Sequence, residues 1–138
     1  MNIKEVAELF DLTTATIRYW EDTAIIPPIR RNSSGYRDFS TGNLNWIYLV
    51  KSLRRAGVTI ESLQQFAALA QEPRTPEQQA AQKAVLHHQL TEVENSLSAL
   101  TETRDLLRYK IDSYDDHVAK FVSGEWDEDT SEELWKKD

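Results

Sequence analysis

The sequence of 138 residues contains no cysteine, and several other features of common protein classes are missing from it. Without thiols there can be no disulfide, no thiolate metal site and no thiol-based redox sensor. No run of 18 apolar residues could span a bilayer, and no basic stretch followed by an apolar core marks a secretory signal. There is also no phosphate-binding glycine loop, catalytic triad or acid/base pair. We therefore expect a cytoplasmic protein that is not an enzyme and has no cofactor.

Acidic charge is unevenly distributed along the chain, whose formal net charge is −7. Residues 1–72 hold 8 basic and 8 acidic side chains, whereas residues 73–138 hold 8 basic and 15 acidic ones. The acidic excess therefore belongs entirely to the second half. Affinity for DNA depends on where cations cluster on the surface, so the N-terminal half remains compatible with DNA binding.

The stretch 13–20 has the features of a short helix that could enter the major groove of DNA. Thr13 fits a helix cap, and Leu12 before it can pack on Ile17 as a hydrophobic staple. At helical spacing, the side that holds the cap also carries Ile17, Trp20 and Ala24. The residues that point away are Ala15, Thr16, Arg18, Tyr19 and Asp22. Small, hydroxyl, guanidinium and phenol groups suit close approach to bases and phosphates.

A first helix precedes this stretch and a cationic hairpin follows it. Asn2 and Glu5 fit a capping box before an apolar stripe, so two short helices with a tight connection predict a helix-turn-helix. After the extended, proline-containing segment 25–29, the turn-rich segment 32–35 separates two pairs of cationic or aromatic residues. These are Arg30 with Arg31, and Tyr36 with Arg37. Such a hairpin beside a helix-turn-helix is a wing whose arginines can reach phosphates.

Four ordered segments of this half resemble the DNA-binding domain of MerR-family transcription regulators. They are Ile3–Ala7, Thr16–Glu21, Ile26–Pro28 and Ser34–Arg37. The resemblance covers about residues 1–72. It implies a winged helix-turn-helix, a dimer built by an antiparallel coiled coil, and binding to double-stranded operator DNA inside promoters, with distortion of the DNA and RNA polymerase as a partner. The DNA-contact candidates that it implies are Thr14, Thr16, Arg18, Tyr19, Tyr36 and Arg37. The family often has a glycine where Asp11 stands and a second tyrosine where Trp20 stands.

Two further helices complete the predicted domain. A helix over about 41–56 has apolar residues around most of its circumference, which indicates burial on several sides. Lys51, Arg54 and Arg55 lie near its end, where they suit the negative helix terminus. Thr59 caps the next helix, whose unpaired N–H groups could bind a phosphate, so Thr59 is a weaker DNA-contact candidate.

Apolar residues then recur over 36 residues at alternating spacings of four and three, a pattern specific for a coiled coil. The seam consists of Leu86, Leu90, Val93, Leu97, Leu100, Arg104, Leu107, Ile111, Tyr114, Val118 and Phe121. No second helix of comparable length is predicted in the chain, so we expect another copy as partner in a homodimer. The polar Arg104 either fixes the register of the pair or extends past its neighbours to solvent.

The predicted organisation is therefore a DNA-binding domain over 1–72, a linker at 73–75, a dimerisation helix over 76–122 and an acidic tail over 123–138. The three histidines lie outside the seam and are expected on a solvated face, so no metal site is predicted. These are His87, His88 and His117.

A small-molecule effector, if there is one, has little room outside the end of the coil and the tail. An apolar wall there could be formed by Tyr114, Phe121, Trp126 and Trp135. Aromatic faces with carboxylates nearby favour a cationic, partly apolar ligand. The carboxylates are Glu125, Asp127, Glu128 and Asp129. The alternative is that these residues only pack the end of the dimer and keep it soluble.

The leading interpretation is a homodimeric, sequence-specific DNA-binding transcription regulator of mostly α fold, bound to a pseudo-palindromic operator. The alternative is a coiled-coil adaptor that uses its small helical domain for protein–protein contacts. The positions of Arg18, Arg31 and Arg37 discriminate between them. Convergence of these arginines on one face, with the tyrosines of the helix and the wing, favours DNA; scattered arginines favour the adaptor.

Overall fold

The computed structural model describes residues 1–136 and is mostly helical, as predicted. The helices are α1 (Ile3–Phe10), α2 (Thr14–Asp22), α3 (Thr41–Arg55), α4 (Ile60–Ala70) and α5 (Pro76–Ser123), followed by a turn of 3-10 helix (Leu134–Lys136). No helix within residues 1–136 is long and apolar enough to cross a membrane. The chain forms two compact units, which divide between Asn95 and Ser96. The predicted domains are divided by their expected roles, whereas these units are divided by compactness, so the predicted boundaries stay a prediction.

The helix-turn-helix forms because both helices have side-chain caps and a tight turn joins them. Asn2 Oδ1 accepts the N–H of Glu5 at 2.9 Å, and the Glu5 carboxylate accepts the N–H of Asn2 at 3.0 Å. The predicted capping box of α1 is therefore confirmed. At the other end Asp11 adopts the left-handed conformation, with φ 53°, and its N–H closes the last turn of α1. Asp is one of the few residues with a side chain that tolerate this conformation, so the turn forms without the glycine that the family often has.

Helix α2 begins as predicted and ends earlier than the apolar pattern suggested. Thr13 Oγ1 accepts the N–H of Thr16 at 3.0 Å, which confirms the predicted cap. The helix stops at Asp22, and Ala24 is an exposed residue with φ 60°. The prediction that Ala24 extends the buried side of this helix is therefore wrong. The backbone leaves the helix before residue 24, so helical periodicity no longer describes its position.

The hairpin between α2 and α3, here called the wing (residues 29–38), is held by few backbone bonds. Arg31 and Arg37 form a single antiparallel β-bridge. Around the turn, Asn32 Oδ1 accepts the N–H groups of Ser34 and Tyr36 at 3.0 and 3.1 Å. An Asn side chain that bonds the backbone in this way substitutes for ladder bonds in a turn. The predicted hairpin is present, but its ladder is reduced to one bridge.

The core of the first unit joins the helix-turn-helix to α3 and α4. Its largest fully buried side chains are Val6, Ile17, Ile25, Ile26, Ile47, Val50 and Val58. Lys51 in α3 donates to the carbonyl of Phe10 at the end of α1, and Arg54 donates to Val58 O at 2.9 Å. These cations therefore bond carbonyls beyond their own helix. The sequence interpretation, which assigned them to the C-terminus of α3 itself, is wrong for Lys51.

The first turns of α5 pack on this core through the side that the coiled-coil pattern left unassigned. Val85 and Gln89 are buried, and Gln89 Nε2 donates to Ser62 Oγ of α4 at 3.0 Å. Gln78 Nε2 donates to Leu69 O at 2.8 Å. Val93, a predicted seam residue, is half-buried against the same core. The start of α5 is thus anchored to the domain, and the anchored stretch overlaps the first residues of the predicted seam.

Candidate nucleic-acid interface

The predicted contact residues on the outward face of α2 differ in how exposed their side chains are. Tyr19 is half exposed and Arg18 is exposed, whereas Thr14 and Thr16 are partly covered. Arg18 Nη1 lies 3.3 Å from Thr14 Oγ1, so Thr14 orients the guanidinium from one helical turn below. The Thr16 hydroxyl lies 2.8 Å from that of Thr13 and is shared with the helix cap. Arg18 and Tyr19 are therefore the side chains of α2 that are freest to reach DNA.

On the wing, Arg31 and Tyr36 face outward. Tyr36 is 71% exposed. Arg31 Nη1 donates to the carbonyl of Gly35 at 2.8 Å, across a turn in which Gly35 has φ +84°. Arg30 pairs with Asp38 at 3.2 Å in an exposed ion pair. The turn thus holds the Arg31 guanidinium near the tip of the wing, beside an unobstructed phenol.

Arg37 is held differently from the other arginines of the wing. Its Nε donates to Glu21 Oε1 of α2 at 2.5 Å, and each side chain is only 14% exposed. A paired and largely covered guanidinium is less available to a phosphate than an exposed one. The structure thus joins two sequence candidates, the helix and the wing, through an acidic residue that sequence reasoning did not single out.

A cleft of about 560 Å³ lies where the start of α1, helix α2 and the wing meet. It is lined by Met1, Asn2, Ile3, Lys4, Arg18, Arg31, Asn32, Tyr36, Arg37 and Asp38. Cationic groups outnumber the one carboxylate, which suits a polyanion such as a DNA backbone. The three discriminating arginines converge on this cleft together with Tyr36. Tyr19 does not line the cleft. Of the two tyrosines predicted to converge with the arginines, only Tyr36 therefore does so among the lining residues.

Sequence reasoning missed the contribution of the first residues to this cleft. The amino group of Met1 donates to Phe39 O at 3.2 Å and lies 3.6 Å from Asp38. Lys4 is exposed on α1 and also lines the cleft. The signal for Lys4 was present, since it is the one cation on the polar face of α1. The contact of Met1 joins positions 38 residues apart and leaves no local pattern in the sequence.

Thr59 is an exposed cap residue, as predicted. Its Oγ1 accepts the N–H of Ser62 at 3.2 Å and so caps α4. The residue does not line the cationic cleft. Its role as a DNA contact stays a prediction.

The predicted dimerisation seam is uncovered in a single chain. Leu97, Leu100 and Ile111 are 63%, 68% and 73% exposed. The other large seam residues, Leu86, Leu90, Leu107, Tyr114, Val118 and Phe121, are also exposed. Arg104 pairs only with its neighbour Asp105, at 3.1 Å, among the bonds within residues 1–136. Apart from Arg104 and the half-buried Val93, the seam residues of α5 are thus apolar side chains exposed to solvent.

In the second unit, the acidic tail folds back on α5 through Trp126. The Trp126 ring lies 4.6 Å from His117 and 5.8 Å from Phe121, and the Lys120 ammonium lies 4.7 Å from its centroid. His117 Nδ1 is 3.3 Å from a carboxylate oxygen of Glu132, and only 12% of its side chain is exposed. The prediction of a solvated His117 is therefore wrong, because the tail covers it. Residues 137–138 of the predicted tail lie outside the described residues.

The four effector candidates are not all brought together. Phe121 and Trp126 are in contact, whereas Tyr114 and Trp135 are 61% and 79% exposed. The face of Trp126 that could take a cationic ligand already carries Lys120.

The carboxylate of Asp127, one of those near the effector candidates, accepts hydrogen bonds from the tail itself. Asp127 Oδ1 accepts the Thr130 hydroxyl at 3.0 Å and the N–H groups of Asp129 and Thr130. The bond from the Thr130 hydroxyl, followed by that from the Asp129 N–H, lowers the pKa of Asp127. This carboxylate therefore closes a local turn.

Comparison with known proteins agrees with this geometry. The chain matches the family models described as MerR HTH family regulatory protein, over residues 1–69, and MerR, DNA binding, over residues 44–109. It is 45% identical over 69 residues to the HTH-type transcriptional regulator AdhR of Bacillus subtilis, a match that covers 50% of this chain and only 49% of AdhR.

Two solved structures are similar over most of the chain. A protein described as a MerR family transcriptional regulator from Listeria monocytogenes is 38% identical, with a TM-score of 0.79, over 90% of this chain and 92% of that one. HiNmlR, a MerR family regulator lacking the sensor domain and bound to promoter DNA, has a TM-score of 0.71 over 86% of this chain and 92% of its own. At 24% identity, HiNmlR supports the fold alone. On its winged helix-turn-helix, its cationic cleft and these matches, the chain belongs to the MerR family of DNA-binding helix-turn-helix transcription regulators.

Proposed function

We propose that the protein acts as a homodimer that binds a pseudo-palindromic operator in double-stranded promoter DNA, where it distorts the duplex and thereby acts on transcription by RNA polymerase. The observation that carries the DNA-binding part is the cleft in which Arg18, Arg31 and Lys4 converge beside Tyr36. An adaptor would not require three exposed cations and a phenol from three different elements in one place.

The uncovered seam of α5 supports the dimeric part of the proposal. Leu97 and Leu100 are mostly exposed on a helix of 48 residues, and the apolar row continues through Ile111. Self-pairing would bury this row and relate two recognition helices by a two-fold axis. The preferred operator would then contain two inverted half-sites.

Selection of bound duplexes from random DNA tests the proposal directly. We expect enriched sequences to contain two inverted half-sites, with affinity that falls steeply as salt rises, because cations of the cleft displace counterions from phosphates. A single short motif without its inverted copy would contradict the symmetric dimer. If no sequence is enriched above the starting library and no salt-dependent binding is measured, the result would contradict DNA binding by this chain and favour the adaptor.

A further inference from the structure

Both carboxylate oxygens of Glu21 contact the wing. Oε1 accepts the Nε–H of Arg37 at 2.5 Å, and Oε2 accepts the backbone N–H of Ile29 at 2.6 Å. Ile29 stands where the chain enters the wing and Arg37 where it returns. A single residue in the last turn of α2 therefore bonds both arms of the hairpin.

This bridge is the best shielded of the polar contacts that hold the wing. The side chains of Glu21 and Arg37 are 14% exposed, whereas those of Arg30 and Asp38 are 77% and 42% exposed, and the ion pair of Asp38 with the Met1 amino group is exposed as well. Exposed pairs contribute little to a preferred geometry, because water and salt screen them and their side chains stay mobile. The wing itself has only one β-bridge. Glu21 is therefore the best-shielded polar link between the recognition helix and both arms of the wing.

We infer that Glu21 and Arg37 are positioning residues for DNA binding, and that Arg37 acts through Glu21 and not as a direct phosphate contact. The bridge holds Arg31 and Tyr36 of the wing at a fixed distance from Arg18 of α2. Groups that must contact one duplex at the same time bind more tightly when the free protein already presents them in the bound arrangement. The inference rests on the proposed function, since it assigns roles within the same DNA-binding site.

For Glu21→Gln, a positioning role predicts a loss of DNA affinity, whereas charge alone predicts a gain. Neutralising an acidic residue next to a polyanion should strengthen binding, because it removes repulsion. Glu21→Gln removes such a charge but cannot hold the guanidinium of Arg37 as an ion pair. We therefore expect Glu21→Gln to weaken DNA binding. Asp22→Asn is the matched control, since Asp22 is the next residue of α2, is exposed, and makes no contact with the wing among the bonds within residues 1–136.

The experiment measures binding of a fluorescein-labelled duplex, recovered by selection with the wild-type protein, at several salt concentrations. We expect Glu21→Gln and Arg37→Gln each to weaken binding about tenfold, and the double variant to bind about as weakly as either single one, because the two residues form one unit. The dependence of affinity on salt should stay as in the wild type, since no phosphate contact is lost. Asp22→Asn should bind as tightly as the wild type or more tightly.

Loss of the fold is separated from loss of positioning by near-ultraviolet circular dichroism and a thermal melt of every variant, with binding measured below each transition. Glu21→Asp supplies a second variant, which keeps the charge and the helix but shortens the side chain by one methylene. It should weaken binding as Glu21→Gln does, because a shorter carboxylate cannot reach both arms.

Three results would overturn the inference. One is Glu21→Gln binding as tightly as the wild type or more tightly. Another is a double variant whose loss equals the product of the single losses. The third is Arg37→Gln lowering the salt slope by about one, which marks a direct phosphate contact. If the wild-type protein selects no duplex at all, it is the proposed function that fails, and the two failures are thus distinguishable.

Discussion

Replacing Leu97 and Leu100 with aspartate should convert the proposed dimer into monomers. Both leucines lie on the seam of α5, and in a single chain they are 63% and 68% exposed. In a paired coil this exposed surface would be buried, and an aspartate in either position would have to lose its hydration against an apolar partner. The double variant therefore removes the apolar burial that favours dimerisation and adds the cost of desolvating carboxylates, which opposes it.

The size of the effect follows from the exposed fractions. Full burial of a leucine side chain contributes about 1.5–3 kcal/mol, so the two thirds still available here contribute about 1–2 kcal/mol each. A symmetric dimer contains four such side chains, and their loss costs about 4–8 kcal/mol. The dimer dissociation constant should then rise by a factor of about a thousand to a million, before any cost of burying the carboxylates.

Sedimentation velocity over a range of protein concentrations measures this change. The wild type should sediment as a dimer, and Leu97→Asp/Leu100→Asp as a monomer with unchanged helical circular dichroism. The matched control is Ser98→Asp/Ala99→Asp, which adds the same two charges in the same turn but on exposed residues outside the seam. A dimer that survives the leucine changes, or a control that dissociates as readily, would refute the assignment of this seam.

Four further predictions concern individual features of the two units. Arg104→Leu should strengthen the dimer in sedimentation equilibrium, because Arg104 interrupts the apolar row and pairs only with exposed Asp105 among the described residues. A weaker dimer would show that the guanidinium is needed there, and an unchanged one would contradict a cost of placing it in the seam. Ala24→Gly should raise the free energy of unfolding by about 0.5–1 kcal/mol in urea titration, since Ala24 has φ 60°; equal or lower stability would contradict the strain. Arg18→Ala should weaken operator binding and leave the melting curve unchanged. If Arg18 contacts a base, discrimination at one position of the operator should also fall by about 1–3 kcal/mol. A variant that binds each sequence as tightly as the wild type does would contradict the place of Arg18 in the interface. Deletion of residues 123–138 should leave operator affinity nearly unchanged and abolish any ligand-dependent change in Trp fluorescence, whereas a full response after deletion would exclude the tail as an effector site.

Local signals in the sequence were sufficient for the elements and for the family. The caps at Asn2 and Thr13 depend on residues three positions apart, and both bonds are present in the structure. The turn at Asn32 likewise depends on its immediate neighbours. Interactions of this range are encoded in short patterns, because the backbone conformation alone brings the partners together. The mostly α fold with a wing was predictable for this reason.

Contacts between distant segments were not predictable from those patterns. His117 lies off the apolar seam, and the periodicity of α5 therefore assigned it to solvent. In the structure Trp126 and Glu132 of the tail cover it. Gln89 was similarly left out of the seam, yet it is buried against Ser62. A heptad pattern describes only one side of a helix, and it gives no information about what packs on the others.

The wing shows most clearly why a candidate site needs geometry. Its three arginines have the same charge and lie within eight residues of each other, but each has a different partner. Arg30 makes an exposed ion pair, Arg31 donates to a carbonyl of its own turn, and Arg37 is enclosed with an acid 16 residues earlier. Counting these charges predicts three equivalent phosphate contacts. Their burial instead predicts that Arg31 contributes to affinity through charge, whereas Arg37 contributes through the orientation of the wing, so only the loss of Arg31 should reduce the salt dependence of DNA binding.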